Sequence, residues 1–470
     1  MAFLLGGANS ASGGYDIDNS LRFGGTGSFL TRAQSDNETA TTCRKFTVST
    51  WYKTTLQGDA SGWHALWSAS TDANNWTSLK VNADKIMIFG LKLSGTEITF
   101  TSNMVFRDPS AWYNVVVAYD STDGTAADRL IIYVNGSRIT GTFSADLAQN
   151  TAAHWGDDAA AGRIGAYNFN TADSYMMNGY LADTCVTIGY ALAPAKFGVA
   201  DEDSGIWKPI KPTVTYSENG FFLEYQQAGT DADASGMGAD TSGNTNHLAI
   251  DSDDSDELGV TTDTPTNNFC TVNPIGGVNS SAKWTFTEGN TVIQQNDNGN
   301  WRATGSTMGV ANGKWYWEVE FDAGTMTEIF VGFHDTSITL AGDDWVTGSC
   351  IFYNHNGGEV KLDGTTTTAD YGVLTAGDVL GIALNMDDKQ VTFYDNGSAI
   401  VSDFSIGSNI NEATPTFMSD YSDIVYKINF GNPPYAISSG NADANGYGNF
   451  EYAVPSGYFS LCTKNLAEYG

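Results

Sequence analysis

The residues able to do chemistry in this chain are scattered, and their spacing does not match the common catalytic arrangements. The five histidines, His64, His154, His247, His334 and His355, form no HExxH or HxH pair, so no zinc hydrolase motif is encoded locally. No GxSxG elbow presents a nucleophilic serine and no GxxxxGK[ST] loop cradles phosphate. Glu318 and Glu320 alternate onto one face of an extended segment, as two carboxylates of a glycosidase would, but outward glutamates on a strand are also what a solvated face carries. Three polar loops hold a tryptophan each: Asn74-Asn75-Trp76, His154-Trp155-Gly156-Asp157-Asp158 and Gly342-Asp343-Asp344-Trp345. A flat indole beside amides and carboxylates suits the faces and hydroxyls of a sugar, although each such ring is also able to anchor its own loop. The candidate ligand-binding residues are therefore Asn75, Trp76, Trp155, Asp158, Asp344 and Trp345. Asp157, Asp158, Asp343 and Asp344 offer oxygens of the kind calcium takes, but no loop has DxDxDG spacing, and no other cofactor is implied.

The elements that must position these residues are strands. In the first half, Trp112 to Tyr119, a polar loop, Arg129 to Val134, Asn135-Gly136 and Ser137 to Thr140 read as strand, turn, strand, tight hairpin, strand. The second half repeats the pattern with Gly377 to Leu384, Asn385 to Asp388, Gln390 to Tyr394, Asn396-Gly397 and Ser398 to Val401. Asn-Gly between β-rich runs is a hairpin signal because a type I′ turn demands positive φ at both central residues. Two hairpins in like positions imply two like-built sandwiches. Lys314 to Phe321 alternates cleanly: Trp315, Trp317, Val319 and Phe321 share the face expected in the core. Helix signals are scarce, the best being a short one after Pro194.

The fold class expected is all-β, two concanavalin-like antiparallel β-sandwich (jelly-roll) domains in tandem joined by a polar connector. The expected divisions are 1–225 for the first sandwich, 226–272 for an acidic connector too polar to build a core, 273–436 for the second sandwich, and 437–470 for a tail that packs on the second sandwich or a neighbouring chain. With 41% hydrophobic and only 16% charged residues, and 52 glycines, the composition suits strands joined by tight turns. The formal charge of −32 repels nucleic acid and anionic membranes. No apolar run approaches the ~20 residues of a membrane span, and the opening residues lack a basic secretory segment. Five widely spaced cysteines without a CxxC pair predict free thiols and assembly in a reducing cytoplasm.

Phe106 to Asp120, Arg129 to Gly136, Gly162-Arg-Ile-Gly165 and Met177 to Asp183 resemble strands of laminin-G or concanavalin-like jelly rolls, over about residues 15–225. Gly313 to Val319, Val331 to Phe333, Gly377 to Ala383, Val391 to Gly397 and Asn429 to Gly431 resemble SPRY domains, five motifs in that family's order. Three further phrases are similar to those of bacteriophage structural proteins: Ala8 to Ser12 with Asn19 to Phe23, Asp233 to Asn246 with Asp263 to Phe269, and Gly457 to Leu466. The resemblance implies a virion protein assembled in the host cytoplasm. The function expected is a non-enzymatic tail or fibre component recognising host-surface glycans or neighbouring virion proteins. A capsid decoration protein without a receptor role is the alternative, and a polysaccharide depolymerase the third. A homo-oligomer is expected, a trimer being one form, since multivalency raises avidity without new contacts.

Overall fold

The computed structural model describes residues 14–470 except 26, 35–37, 40, 57–61, 158–159, 168–174, 253–257, 278–282, 297–298, 323–328, 341–348, 356, 368 and 423. The chain divides into two compact units, one spanning Ala11–Thr266 and one containing Asn267–Gly470.

Two antiparallel sheets build the first unit. One runs in spatial order β10 (Ser137–Arg138), β9 (Leu130–Val134), β8 (Trp112–Asp120), β3 (Lys45–Thr54), β13 (Asn178–Ile188), β1 (Ser20–Gly24) and β18 (Leu258–Thr261), with β16 (Phe221–Leu223) also on β13. The other runs β11 (Gly141–Phe143), β7 (Thr96–Val105), β6 (Ile86–Leu93), β5 (Asn75–Val81), β4 (His64–Asp72), β12 (Ala161–Ile164), β2 (Ser28–Ala33) and β17 (Ala249–Ser252). A separate hairpin joins β14 (Gly198–Ala200) to β15 (Trp207–Pro209). Successive side chains leave a strand on opposite faces, so Val115, Val117 and Tyr119 enter the core between the sheets with Trp67, Leu79 and Phe89. Val116 points the other way and is covered by Phe197 and Phe222. The helix expected after Pro194 is only a 3-10 turn, Pro194–Lys196, because Gly198 already begins β14.

The stretch 226–266, expected as part of a connector, folds into this first unit. β17 pairs with β2 and β18 with β1, each extending a sheet at its edge. An edge strand needs a backbone partner more than apolar content, and Met237, Leu248 and Leu258 supply what apolar contact there is. Buried carboxylates of this stretch find partners in place: Asp240 accepts the amides of Phe222, Ser242 and Asn246. Asp263 is buried against Lys53 at 2.7 Å and accepts the Trp112 indole N–H at 3.3 Å. The boundary thus falls after Thr266, and Cys270 and Val272 already belong to the second core.

The second unit stacks two sheets. One runs β19 (Trp284–Thr287), β20 (Val292–Gln295), β31 (Val425–Asn429), β22 (Lys314–Asp322), β27 (Val379–Asn385), β28 (Gln390–Asp395) and β29 (Ser398–Ser405), and β32 (Phe459–Ser460) adds to β22 in parallel. Facing it are β21 (Arg302–Gly305), β30 (Ala413–Ser419), β23 (Ile329–Asp335), β24 (Cys350–Asn354), β25 (Glu359–Leu362) and β26 (Thr365–Thr366). Trp315, Trp317, Val319 and Phe321 lie in the core, as the alternation requires. The chain ends in a short helix, α1 (Thr463–Tyr469).

The repeated hairpin is the same device in both units. Asn135 and Gly136 have φ of 47° and 76°, and Asn396 and Gly397 have 46° and 79°, so both are turns with positive φ at both central positions. Each asparagine also ties down the strand beside its hairpin. The Asn135 amide donates to Asn114 O while its side-chain oxygen accepts Asn114 N–H, and Asn396 does the same with Val379. All five cysteines are buried thiols.

Candidate functional site

The most distinctive side-chain cluster of the first unit lies on the outer face of its second sheet. Along β5, Leu79 and Val81 enter the core, so Trp76, Ser78 and Lys80 face outward. Outward does not mean exposed: Trp76 is 2% and Lys80 7% accessible. Trp76 finds room because its ring lies over Gly90 of β6, the residue paired with Ser78, where a Cβ would lie 2.6 Å from the indole. Tyr167 meets Trp76 edge-on at 5.2 Å, Tyr175 stacks on Tyr167 at 5.3 Å, and Trp63 stacks on Tyr175 at 5.3 Å. Trp63 and Tyr175 are half-buried and form the solvent edge of the stack.

These rings surround the Lys80 ammonium. Its Nζ lies 4.2 Å from the Tyr167 centroid, 4.8 Å from Trp76, 5.5 Å from Tyr175 and 5.7 Å from Trp63. The negative faces of aromatic rings attract a cation and partly replace its lost water. Burial still pushes the Lys80 amine down to about 8, with Glu97 pulling weakly the other way. Beside the cluster, Arg163 donates to Ser70 Oγ at 2.9 Å. Aromatic rings, hydroxyls and two cations on one sheet face can stack on a sugar and hydrogen-bond its substituents.

The residues singled out from sequence fare differently. Asn75 is committed to its own turn: its Nδ2 donates to both Asp72 carboxylate oxygens, at 3.1 and 3.0 Å, and its Oδ1 accepts the Ser94 amide. Trp76 belongs to the cluster, as a buried wall and not an open loop platform. Trp155 is a correction. At 1% exposure it lies in the core, edge-on to Trp67 at 5.8 Å and near Phe221. Its polar loop folds inward because the backbone is satisfied there: the Gly156 amide donates to Gln34 Oε1, Gln34 Nε2 donates to His154 O, and His154 N–H donates to Thr77 Oγ1. Asp158, Asp344 and Trp345 lie outside the described residues, as does Asp343. Asp157 is 3.4 Å from His154 Nδ1, and among the described residues no group of three or more His, Cys, Asp or Glu is placed to hold a metal ion. Lys80, Trp63, Tyr167 and Tyr175 were not anticipated. The period of two along β5 pairs Trp76 with Lys80, but nothing local brings residues 63, 167 and 175 to them.

Glu318 is a second correction. It is fully buried, not solvated, because the tail returns over the outer face of β22. Its Oε1 accepts Tyr316 Oη–H at 3.1 Å and Tyr452 N–H at 2.8 Å. Its Oε2 accepts Glu451 N–H at 2.9 Å, Asn429 Nδ2–H at 3.1 Å and Tyr435 Oη–H at 3.4 Å. Glu320 instead pairs with Lys427 at 3.1 Å. The two carboxylates are thus committed to separate structural partners.

Comparison with known proteins agrees with this architecture. Residues 23–187 match the family described as the concanavalin A-like lectin/glucanases superfamily, and residues 314–433 match the SPRY domain family. The chain thus contains a laminin-G/concanavalin-like domain followed by a SPRY domain. No curated protein sequence matches. Among solved structures, the SPRY domain of human HERC1 is 17% identical with a TM-score of 0.26, covering 29% of this chain and 87% of its own. The heptameric SAP-like pentraxin of Limulus polyphemus is 20% identical with a TM-score of 0.27, covering 38% and 80%. Domains LG4-5 of the mouse laminin alpha1 chain are 10% identical with a TM-score of 0.31, covering 96% and 88%.

Proposed function

We propose that this chain is a non-enzymatic virion protein, a bacteriophage tail or fibre component, that recognises host-surface glycans through the aromatic face around Lys80. The virion assignment rests on the resemblance of its opening, connecting and closing phrases to phage structural proteins. The glycan assignment rests on one observation: a stack of half-buried rings, Trp63 and Tyr175, flanked by cationic and hydroxyl side chains on a sheet face. Sugar recognition needs an apolar plane for the ring and polar groups beside it, and this face has both.

The test is binding of purified full-length protein to host-surface polysaccharide, with chain length followed by reducing ends. Retention without shortening is expected, and Trp63→Ala should weaken it about tenfold or more at nearly unchanged melting temperature, because a solvent-edge ring contributes contact area more than core packing. Failure to retain any host polysaccharide would overturn the glycan reading. Release of reducing ends would overturn the non-enzymatic one. Labelling of intact virions with an antibody to this chain tests the virion assignment, and unlabelled particles would refute it.

A further inference from the structure

We propose that Lys80 is a recognition group for a saccharide carboxylate, so that the sugar taken by this face is of the uronic- or sialic-acid class; this rests on the glycan-binding reading above. Among the described residues of the first unit, Lys53 and Lys80 are both almost wholly buried, and they differ in one respect. Lys53, 1% accessible, holds the Asp263 carboxylate at 2.7 Å. Lys80, 7% accessible, has four rings around it but makes no hydrogen bond from Nζ to any described residue. An ammonium has three N–H donors, and ring faces satisfy its charge without offering the lone pairs those donors seek. Those donors are open to an acceptor that arrives from outside.

Trp63 and Tyr175, both half-buried, border the ammonium on the solvent side. A sugar stacked on them brings its substituents towards Nζ, and a carboxylate would add a charge-assisted hydrogen bond that a hydroxymethyl group cannot match. The chain's formal charge of −32 sets the second requirement. Its field repels a dense polyanion, which favours a glycan whose carboxylates are separated by neutral sugars.

The experiment compares matched ligands on the full chain by calorimetry: a hyaluronan tetrasaccharide and a sialyllactose, each against its own carboxyl-reduced form. At least one acidic member should bind about tenfold or more tightly than its reduced partner. Lys80→Met, which keeps the stem and drops the charge, should erase the difference, and Lys80→Arg should retain part of it. A second readout needs no variant. The free amine loses its proton near 8 and the ligand prefers the charged form, so affinity for the acidic member should fall between about pH 7 and pH 9, by up to tenfold per unit, while the reduced member is unaffected. Equal affinity for both members of each pair, a preference that survives in Lys80→Met, or a flat pH profile would overturn this inference and leave the glycan reading standing. If no acidic or neutral member binds, and host polysaccharide is not retained either, both fall together.

Discussion

Glu318→Gln tests how the tail is fastened to the second unit. The substitution is nearly isosteric, so it leaves the cavity unchanged and alters only charge and hydrogen bonding. Five donors converge on the carboxylate, two of them the backbone amides of Tyr452 and Glu451, one on each oxygen. Glutamine has a single acceptor oxygen and presents N–H donors on the other side, so whichever way it turns, one backbone amide faces a donor and loses its partner. Hydrogen bonds to a charged group contribute roughly 1.5–3 kcal/mol each, and an orphaned buried amide costs roughly 1–3 kcal/mol. An opposing effect exists: burial raises the proton affinity of Glu318 in spite of these bonds, so part of the cost of holding a buried charge is recovered when the charge is removed. The donors outnumber what one carbonyl can accept, so the loss should dominate, at about 3 kcal/mol net. Typical domain stability is only about 5–15 kcal/mol, so the change should be plain in urea denaturation of the second unit. Amide hydrogen exchange localises it: protection should fall at Glu451 and Tyr452 first. A variant within about 0.5 kcal/mol of the parent, with both amides still protected, would refute the idea that this carboxylate fastens the tail.

Truncation of Trp155 should behave as loss of a core residue, Trp155→Ala costing about 3–5 kcal/mol in thermal or chemical denaturation, whereas Trp63→Ala at the solvent edge should cost far less. Gly397→Ala should destabilise the second unit by more than the ~1 kcal/mol of a positive-φ glycine alone, because its Cβ would lie 2.6 Å from the Tyr452 ring; circular dichroism melting reads it, and an unchanged midpoint would contradict the turn. The two units should respond to acid with opposite signs, read by hydrogen exchange in each. Burial lowers His334 and His355 to about 4, so the unfolded chain takes up protons that the folded chain refuses, and the second unit should lose stability as pH falls from about 6.5 towards 4. Burial raises Asp183 to about 8, so the folded first unit keeps a proton that the unfolded chain releases above about 4, and its stability should instead fall as pH rises from about 4 to 8; Asp183→Asn should flatten that slope.

Sequence patterning carried the parts of this fold that are decided locally. The alternation of Trp315, Trp317, Val319 and Phe321 identified a core face because the strand period is two, and both Asn-Gly pairs identified their turns because few other residues adopt that backbone. The failures share a different cause. Period-two patterning says which residues share a face of a strand, and it is silent on what later covers that face. Glu318 reads as part of a solvated face, yet Phe450 and Tyr452, more than 130 residues on, lie across it and the neighbouring Tyr316. Trp76 and Trp155 occupy similar polar phrases, but the indole of Trp155 turns between the sheets while that of Trp76 stays outside them under Tyr167. The acidic stretch before Thr266 lacks the apolar content of a core and still extends both sheets, since β1 and β2 had edges to pair. In sandwiches of this kind the returning segments determine whether an outward residue is buried, wet or caged. Lys80 is the clearest case: its neighbours in sequence mark it as an ordinary strand lysine, and only the placement of Tyr167 and Tyr175 over β5 turns it into an ammonium ringed by aromatic side chains.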